Sequence, residues 1–233
     1  MIFIPIILLF AAFILFLIAI ALLEKRRVLP SFAVHLEEAK DLPAYFSSMS
    51  QLAAELNFSS LGIFHKSHHQ VYYWYWLSLE NDTMAVVSTY KIAGIRTNVT
   101  FLASPLQNGK WMITTDDAAM FQRDNSNLMM EVEFVFRAHF NELWDRHRAR
   151  LELNQHEVKL LSASNLINDW ENFERACLER LEEQGLIRFL DAANSTWRYT
   201  IKGAIHVISF GFIKVFQKSI KQHERASNKR PGD

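Results

Sequence analysis

Residues 71–115 read VYYWYWLSLENDTMAVVSTYKIAGIRTNVTFLASPLQNGKWMITT, and this stretch decides the fold. Aromatic and β-branched residues, which favour strands, are frequent in it, and apolar and polar side chains alternate over residues 95–103. Turn signals divide the stretch at Asn81-Asp82, Gly94 and Asn108-Gly109. Together with a short apolar run from Leu61 to His65, the pattern predicts an antiparallel β-meander of about five strands.

Segments of helical periodicity flank the meander on both sides. Before it, Asp41-Leu42-Pro43 is typical of a helix start, and apolar residues recur at helical spacing as far as Asn57. After it, residues 128–153 predict one long helix, although residues 131–136 alternate in a way that also suits a strand. The sequence therefore predicts an α+β domain over residues 41–155.

A smaller unit of helix, β-hairpin and amphipathic helix is predicted over residues 156–225. Its first helix covers residues 164–184 and ends at Gly185, a residue type that commonly caps helices. A hairpin over residues 186–201 follows, and a last helix begins at Lys202-Gly203.

The last helix is amphipathic. Its apolar face carries Ile205, Ile208, Phe212, Phe216 and Ile220. Lysines lie on or beside the opposite face, at Lys214, Lys218 and Lys221. The apolar part is too short to span a bilayer, but such a helix can lie along an anionic inner leaflet. We expect either inner-leaflet contact by residues 204–223 or packing of this helix on the domain, followed by a disordered basic tail over residues 226–233.

An uncharged apolar run opens the chain. Residues 2–23 contain no charged side chain, and at about 1.5 Å per residue a helix of this length spans a hydrocarbon core of about 30 Å. Lys25, Arg26 and Arg27 follow, and basic residues on this flank stay in the cytoplasm and contact the membrane surface. The sequence predicts a transmembrane anchor over residues 1–24, a juxtamembrane segment over 25–40, and a single-pass cell-membrane protein with its N-terminus outside and its C-terminal domain cytoplasmic.

Two features favour the opposite topology or a processed signal peptide. Ala19-Ile20-Ala21 is similar to a small-residue cleavage site, but no basic residue precedes the apolar run. N-glycosylation sequons, which are typical of exported domains, occur at Asn57, Asn81, Asn98 and Asn194. Because three of them fall in or beside predicted strands, where a glycan is hard to place, we interpret the sequons as coincidental.

Composition excludes several classes of function. Twenty-five basic and 25 acidic side chains balance, so the chain has no general charge attraction for nucleic acid. The single cysteine, Cys177, excludes an internal disulfide framework, and seven glycines make a dinucleotide or P-loop site improbable. No cofactor is predicted.

Three groups of residues are candidate sites. The strand residues Tyr73, Trp74, Tyr75 and Trp76 are aromatic on both faces, which indicates either a central strand covered on both sides or a binding surface. His65, His68 and His69 are weak candidates for a metal site, because a site needs three or four convergent ligands and no cysteine is near. The carboxylates Asp116 and Asp117, with His139, are weak catalytic candidates, although Asp at a strand end more often caps a turn.

Residues 181–203 resemble the wing segment of winged-helix proteins such as the PadR and MarR groups. The resemblance rests on Leu181, Gly185-Leu186-Ile187 and Tyr199-Thr200-Ile201-Lys202-Gly203. It implies a DNA-binding module in which the preceding helix enters the major groove. That helix is acidic in this chain, with Asp169, Glu171, Glu174, Glu179, Glu182 and Glu183 against Arg175 and Arg180. An acidic helix repels DNA, so a winged-helix-like interaction module is favoured over DNA binding.

The sequence thus leaves three functional hypotheses. The leading one is a non-catalytic, membrane-tethered binding or scaffold module that recruits an unknown protein or small molecule, with the lipid bilayer as partner of residues 2–23. The second is a membrane-anchored hydrolase-type enzyme that uses the Asp116/Asp117 region. The third is a membrane-bound winged-helix-like regulator.

Overall fold

The computed structural model describes residues 3–23, 25–27, 32–34, 44–66, 71–92, 95–116, 129–136, 138–154, 157–191 and 196–206. The contacts between residues divide the chain into two compact units. We call Leu29–Phe173 the sheet unit, and Met1–Val28 together with Glu174–Asp233 the terminal unit.

The elements follow one another in a mixed order of helices and strands. The helices are α1 (Phe3–Leu23), α2 (Ala44–Glu55), α3 (Phe140–Leu153) and α4 (Leu166–Glu183), and residues 201–206 are also helical. The strands are β1 (Arg26–Arg27), β2 (Phe32–Val34), β3 (Phe58–Lys66), β4 (Val71–Ser78), β5 (Met84–Ile92), β6 (Ile95–Pro105), β7 (Trp111–Thr115), β8 (Met130–Phe134), β9 (Ile187–Asp191) and β10 (Thr196–Tyr199).

A seven-stranded sheet in the order β2-β3-β4-β5-β6-β7-β8 forms the centre of the sheet unit. All neighbouring strands are antiparallel except β7 and β8, which are parallel. The predicted meander is confirmed as β3 to β7, and the α+β class is confirmed with it. Its turns follow the sequence signals, since Asn81 and Gly109 both adopt positive φ, at 57° and 81°.

The long helix predicted over residues 128–153 is wrong in its first half. Residues 130–134 form β8, and α3 begins only at Phe140. Glu131 and Glu133 alternate with apolar residues, and this period of two lets Met130 and Phe134 bury their side chains while β8 hydrogen-bonds along β7. Sheet pairing and burial outweigh the helical period here.

Both faces of the sheet are buried. On one face, Trp74 and Trp76 of β4 pack in a core cluster with Met49 of α2 and with Phe140 and Leu143 of α3. The opposite face carries Tyr75, Val86 and Phe101 in register across β4, β5 and β6. There Phe101 stacks on Trp170 at the start of α4, with 5.1 Å between the ring centroids. The sheet is therefore the middle layer of its unit.

The terminal unit contains a small three-stranded antiparallel sheet in the order β1-β10-β9. The predicted hairpin is confirmed as β9 and β10, and its inner face packs on Leu178 and Leu181 of α4. Strand β1 was not predicted, because two residues are too few to show a period. It pairs Arg26 with Trp197 and Arg27 with Thr196.

A close contact joins the hairpin to the helical residues 201–206. The hydroxyl of Thr200 donates to the carbonyl of Gly185 at 2.7 Å and accepts the N–H of Gly203 at 3.0 Å. A Cβ at position 203 would lie 1.7 Å from the carbonyl oxygen of Leu186, so only glycine fits there. The predicted last helix therefore begins as expected, and its continuation beyond residue 206 lies outside the described residues.

Helix α1 contains the apolar run at the N-terminus. Its side chains are described for Ala12 and residues 14–23. Over the residues that the structure describes, we find no helix that has both the length and the apolar character needed to cross a membrane. The transmembrane span expected from the sequence stays a prediction.

Candidate functional site

A buried histidine on α3 is the centre of the polar site in the sheet unit. The helix turns Phe140, Leu143, His147 and Leu151 towards the sheet, because these residues recur at spacings of three and four. His147 therefore occupies a position on an otherwise apolar face and has no solvent exposure.

Both ring nitrogens of His147 meet hydroxyl groups of the sheet. Nε2 lies 2.9 Å from Oγ of Ser104 on β6, and Nδ1 lies 3.0 Å from Oγ1 of Thr114 on β7. Ser104 in turn lies 3.0 Å from the hydroxyl of Thr83. All four side chains have zero exposed surface, so the group is sealed in the core.

Arg150, one turn after His147, holds the other end of this network. Its Nη1 donates to Oγ1 of Thr114 at 3.0 Å and to the carbonyl of Ile113 at 2.6 Å, and its Nη2 donates to the carbonyl of Glu131 at 2.6 Å. The guanidinium thus ties α3 to both parallel strands, β7 and β8. Burial lowers the pKa of Arg150, and the nearby carboxylates of Glu133 and Glu131 oppose that effect, so the group stays charged.

The imidazole of His147 is neutral at physiological pH. Burial, and then the positive charge of Arg150, lower its pKa to about 3. One donor arrangement satisfies the whole network: Arg150 donates to Thr114, Thr114 donates to Nδ1, Nε2–H donates to Ser104, and Ser104 donates to Thr83. In this arrangement the hydroxyls of Thr114 and Ser104 each donate one hydrogen bond and accept one.

The pair of Ser104 and His147 has the contact distance of a nucleophile and its base, but not their chemistry. A serine nucleophile needs a base with a pKa near the working pH and a path for the substrate. Here the pKa of the base is about 3, a threonine stands where a carboxylate would orient the ring, and neither residue is exposed. The arrangement stabilises the packing of α3 on the sheet and offers no reacting atom to solvent.

Comparisons with known proteins identify no relative: no family model, no curated protein and no solved structure matches this chain.

The predicted carboxylate site is only partly within the described residues. Asp116 directly follows β7, and there its Oδ1 accepts the backbone N–H of Thr100 at 2.6 Å and its own N–H donates to the carbonyl of Thr100 at 3.2 Å. Its carboxylate therefore caps the end of the ladder between β6 and β7. His139 is exposed immediately before α3 and forms no side-chain cap hydrogen bond, while Asp117 lies outside the described residues.

The aromatic strand contributes to the core. Tyr75 and Trp76 are each 1% exposed and Trp74 is 8% exposed, while Tyr73 is half-buried. The indole Nε1 of Trp74 donates to Oγ of Ser60 at 2.7 Å, next to the bulge in β3 between Ser60 and Gly62. Side chains this buried leave little aromatic surface for a partner.

The remaining predicted sites lie mostly outside the described residues. His65 is in β3, but its side chain is not described, and the same holds for Arg26 and Arg27 in β1. His68, His69, Lys214, Lys218 and Lys221 are outside the described residues altogether. Within the part of the chain that the structure describes, no three His, Cys, Asp or Glu side chains come together as metal ligands would.

Sequence reasoning missed the buried network. Side chains that are hydrogen-bonded to each other in it lie as far as 43 residues apart in the chain, and no motif spacing joins them. One signal was present: position 147 falls four residues after Leu143 and four before Leu151, within the apolar stripe of α3. A polar residue in such a stripe indicates a buried side chain that requires partners.

Proposed function

We propose that the chain is a membrane-tethered, non-catalytic binding or scaffold module that recruits a protein or small-molecule partner to the inner face of the cell membrane. The observation that carries the non-catalytic part is the sealed pair of Ser104 and His147. The hydroxyls that contact the imidazole of His147, those of Ser104 and Thr114, belong to residues with no exposed surface, and so does the imidazole. The described carboxylate candidate, Asp116, is engaged with the backbone of Thr100.

The first residues of the chain support the tether. Residues 2–23 carry no charge, and the backbone of Phe3–Leu23 is one helix of 21 residues. No described helix has both the length and the apolar character to cross a membrane, so we propose the tether from the sequence. At about 1.5 Å per residue, a helix over the uncharged residues 2–23 would be about 33 Å long, and a hydrocarbon core is about 30 Å thick. Pro5 is compatible with this helix, because it lies in the first turn, where a backbone N–H has no partner to lose.

The charges that follow the tether support cytoplasmic placement of the rest of the chain. Lys25, Arg26 and Arg27 come within four residues of Leu23. Basic residues next to a span are retained on the cytoplasmic side, so the rest of the chain is expected there. A module held at the membrane raises the local concentration of its partner without any catalytic group.

Alkaline carbonate extraction of membranes from cells that express the full chain tests the tether. The wild-type chain is expected to remain with the lipid. As a control, a Leu15→Arg/Phe16→Arg variant replaces two exposed apolar residues of α1 by charges, which a bilayer centre excludes. That variant is expected in the soluble fraction, and release of the wild-type chain by carbonate would overturn the tether.

A turnover assay tests the non-catalytic part. The purified full chain and an Asp117→Ala variant are compared on panels of ester, phosphoester and peptide substrates. Equal background rates are expected. Turnover by the wild-type chain that the variant lacks would establish the hydrolase alternative instead.

A further inference from the structure

Two arginines lie directly opposite each other in the terminal unit. Arg198 of β10 is the cross-strand partner of Arg188 of β9. Like charges in this position repel each other and weaken a hairpin, unless an anion lies between them or over them. Among the described residues, no ion pair involves either arginine.

The two arginines are on the outer face of the small sheet. The inner face consists of Ile187, Phe189, Trp197 and Tyr199, which pack with Leu178 and Leu181 of α4. Because side chains alternate along a strand, Arg188 and Arg198 point to the face away from α4. Leu190, two residues after Arg188, lies at the register shift of the hairpin and is 39% exposed.

The third strand extends this basic face towards α1. Strand β1 pairs Arg26 with Trp197 and Arg27 with Thr196, and the same antiparallel register, continued by one residue, sets Lys25 beside Arg198. Lys25, Arg198 and Arg188 then form one row across the sheet, and both Lys25 and Arg188 are exposed. A row of cations with one apolar neighbour is a surface for anionic groups.

We propose that this outer face, with Arg188 and Arg198 at its centre, binds the phosphate headgroups of anionic lipids in the membrane that holds α1. The inference rests on the proposed function, because it requires α1 to be a membrane tether. Arg26 follows Leu23, the last residue of α1, by three positions, so at about 3.3 Å per residue the sheet begins within roughly 10 Å of the end of the helix. Lys and Arg side chains at this distance are within reach of an anionic leaflet.

A nucleic acid is the other polyanion that a basic hairpin could contact, and the resemblance to the wing of winged-helix proteins suggests this ligand. The charges of α4 in the terminal unit argue against it, since Glu174, Glu179, Glu182 and Glu183 outnumber Arg175 and Arg180 on the helix that would enter the groove. The tether also fixes the sheet beside lipid. Anionic lipid is therefore the ligand proposed, and duplex DNA becomes an arm of the test.

The test uses the full chain in lipid nanodiscs, with an environment-sensitive fluorophore on a single cysteine. In a Cys177→Ala background, the label is placed two residues from Arg188, at an exposed position, by Leu190→Cys or, as a control, on the exposed helix side by Glu179→Cys. Discs contain either neutral phosphatidylcholine or a mixture with phosphatidylglycerol, and a headgroup-attached spin label quenches fluorophores near the surface. We expect quenching at position 190 to exceed that at position 179, and to increase in anionic discs and decrease with added salt.

Charge variants then assign the effect to the arginines. An Arg188→Gln/Arg198→Gln variant should lose most of the anionic-lipid effect, since each basic residue near such a surface shifts the docked–undocked equilibrium by roughly fivefold. An Arg175→Gln/Arg180→Gln variant removes the same charge from α4 and should behave as wild type. An Arg188→Lys/Arg198→Lys variant keeps the charge and should retain the effect.

The outcomes separate this inference from the tether. If the chain remains in the discs but position 190 is quenched no more than position 179, the inference is overturned and the tether stands. The same conclusion follows if the glutamine and wild-type chains behave alike, if the lysine variant loses the effect, or if added duplex DNA, rather than anionic lipid, changes the emission at position 190. If the chain separates from lipid on a density gradient, the proposed tether fails and the inference fails with it.

Discussion

The Nε2 atom of His147 lies 2.9 Å from the hydroxyl oxygen of Ser104, and neither residue has any exposed surface. The contact joins α3 to the middle of the sheet. The neutral imidazole is hydrogen-bonded to buried hydroxyls there, at a position that no substrate can reach. Its consequences for stability, pH dependence and reactivity can each be measured on the full chain in detergent.

Replacement of His147 by alanine should destabilise the fold strongly. The variant leaves a cavity and removes a partner from both Ser104 and Thr114, which together should lower the free energy of unfolding by about 2–4 kcal/mol. Urea unfolding followed by tryptophan fluorescence measures the change. The matched control is His139→Ala, at an exposed position without a cap hydrogen bond, which should change stability by no more than about 0.5 kcal/mol. Equal effects of the two substitutions would show that the network contributes nothing.

The stability of the chain should fall with decreasing pH through the titration of His147. Its pKa is about 3 in the folded chain against 6.5 for the free side chain, so between these values the unfolded chain binds a proton that the folded chain does not. The contribution is complete above pH 6.5 and is lost as the pH falls towards 3, by up to about 1.4 kcal/mol per pH unit. A His147→Gln variant keeps a polar side chain without this titration. The free energy of unfolding is plotted against pH for both proteins, and the difference between their slopes gives the contribution of His147. Parallel curves would contradict the assignment.

Ser104 should not react with a serine-directed fluorophosphonate. The folded chain has no exposed hydroxyl at this position, and the base beside it has a pKa of about 3. Mass spectrometry after incubation is expected to show no adduct. Labelling of the wild-type chain that disappears in Ser104→Ala, and persists in the control Ser162→Ala at an exposed serine, would establish a catalytic serine instead.

Arg150→Lys should loosen the parallel edge of the sheet. A lysine cannot reproduce the fork that donates to the Ile113 and Glu131 carbonyls and to the hydroxyl of Thr114, so a loss of about 1–3 kcal/mol is expected. Hydrogen exchange of the amides in β8 should accelerate at the same time. Arg148→Lys is the control, because Arg148 is exposed and forms an exposed ion pair with Glu152, so the substitution should change stability by less than about 1 kcal/mol. If the amides of β8 exchange at the same rate in both variants, Arg150 does not stabilise the pairing of β8 with β7.

The parts of the fold that could be predicted from sequence are those with local signals. Strands β3 to β7 have β-branched and aromatic residues in runs bounded by turn residues, and α4 has a capping Gly185. Strand β8 was misassigned because five residues with alternating Glu can satisfy either period, and only its parallel pairing with β7 decides between them. Strand β1 has two residues and exists through its pairing with β10.

The candidate sites were harder to predict than the fold. The distance between Ser104 and His147 depends on the packing of α3 on the sheet, which no local pattern contains. The opposition of Arg188 and Arg198 depends on the register of the hairpin, which shifts at Thr196/Trp197. Sequence does not show how many layers cover a sheet, so the pattern of the aromatic strand suits either a buried strand or a binding surface.

The compartment of the C-terminus tests the central claim, a membrane-tethered module on the cytoplasmic side, most directly. Alkaline phosphatase and a fluorescent protein are fused separately after Asp233 and expressed in a bacterial host. The phosphatase is active only after export, whereas the fluorescent protein matures only in the cytoplasm. We predict fluorescence without phosphatase activity. Phosphatase activity without fluorescence would contradict the account, because the units that follow α1 would then be exported and their partners extracellular.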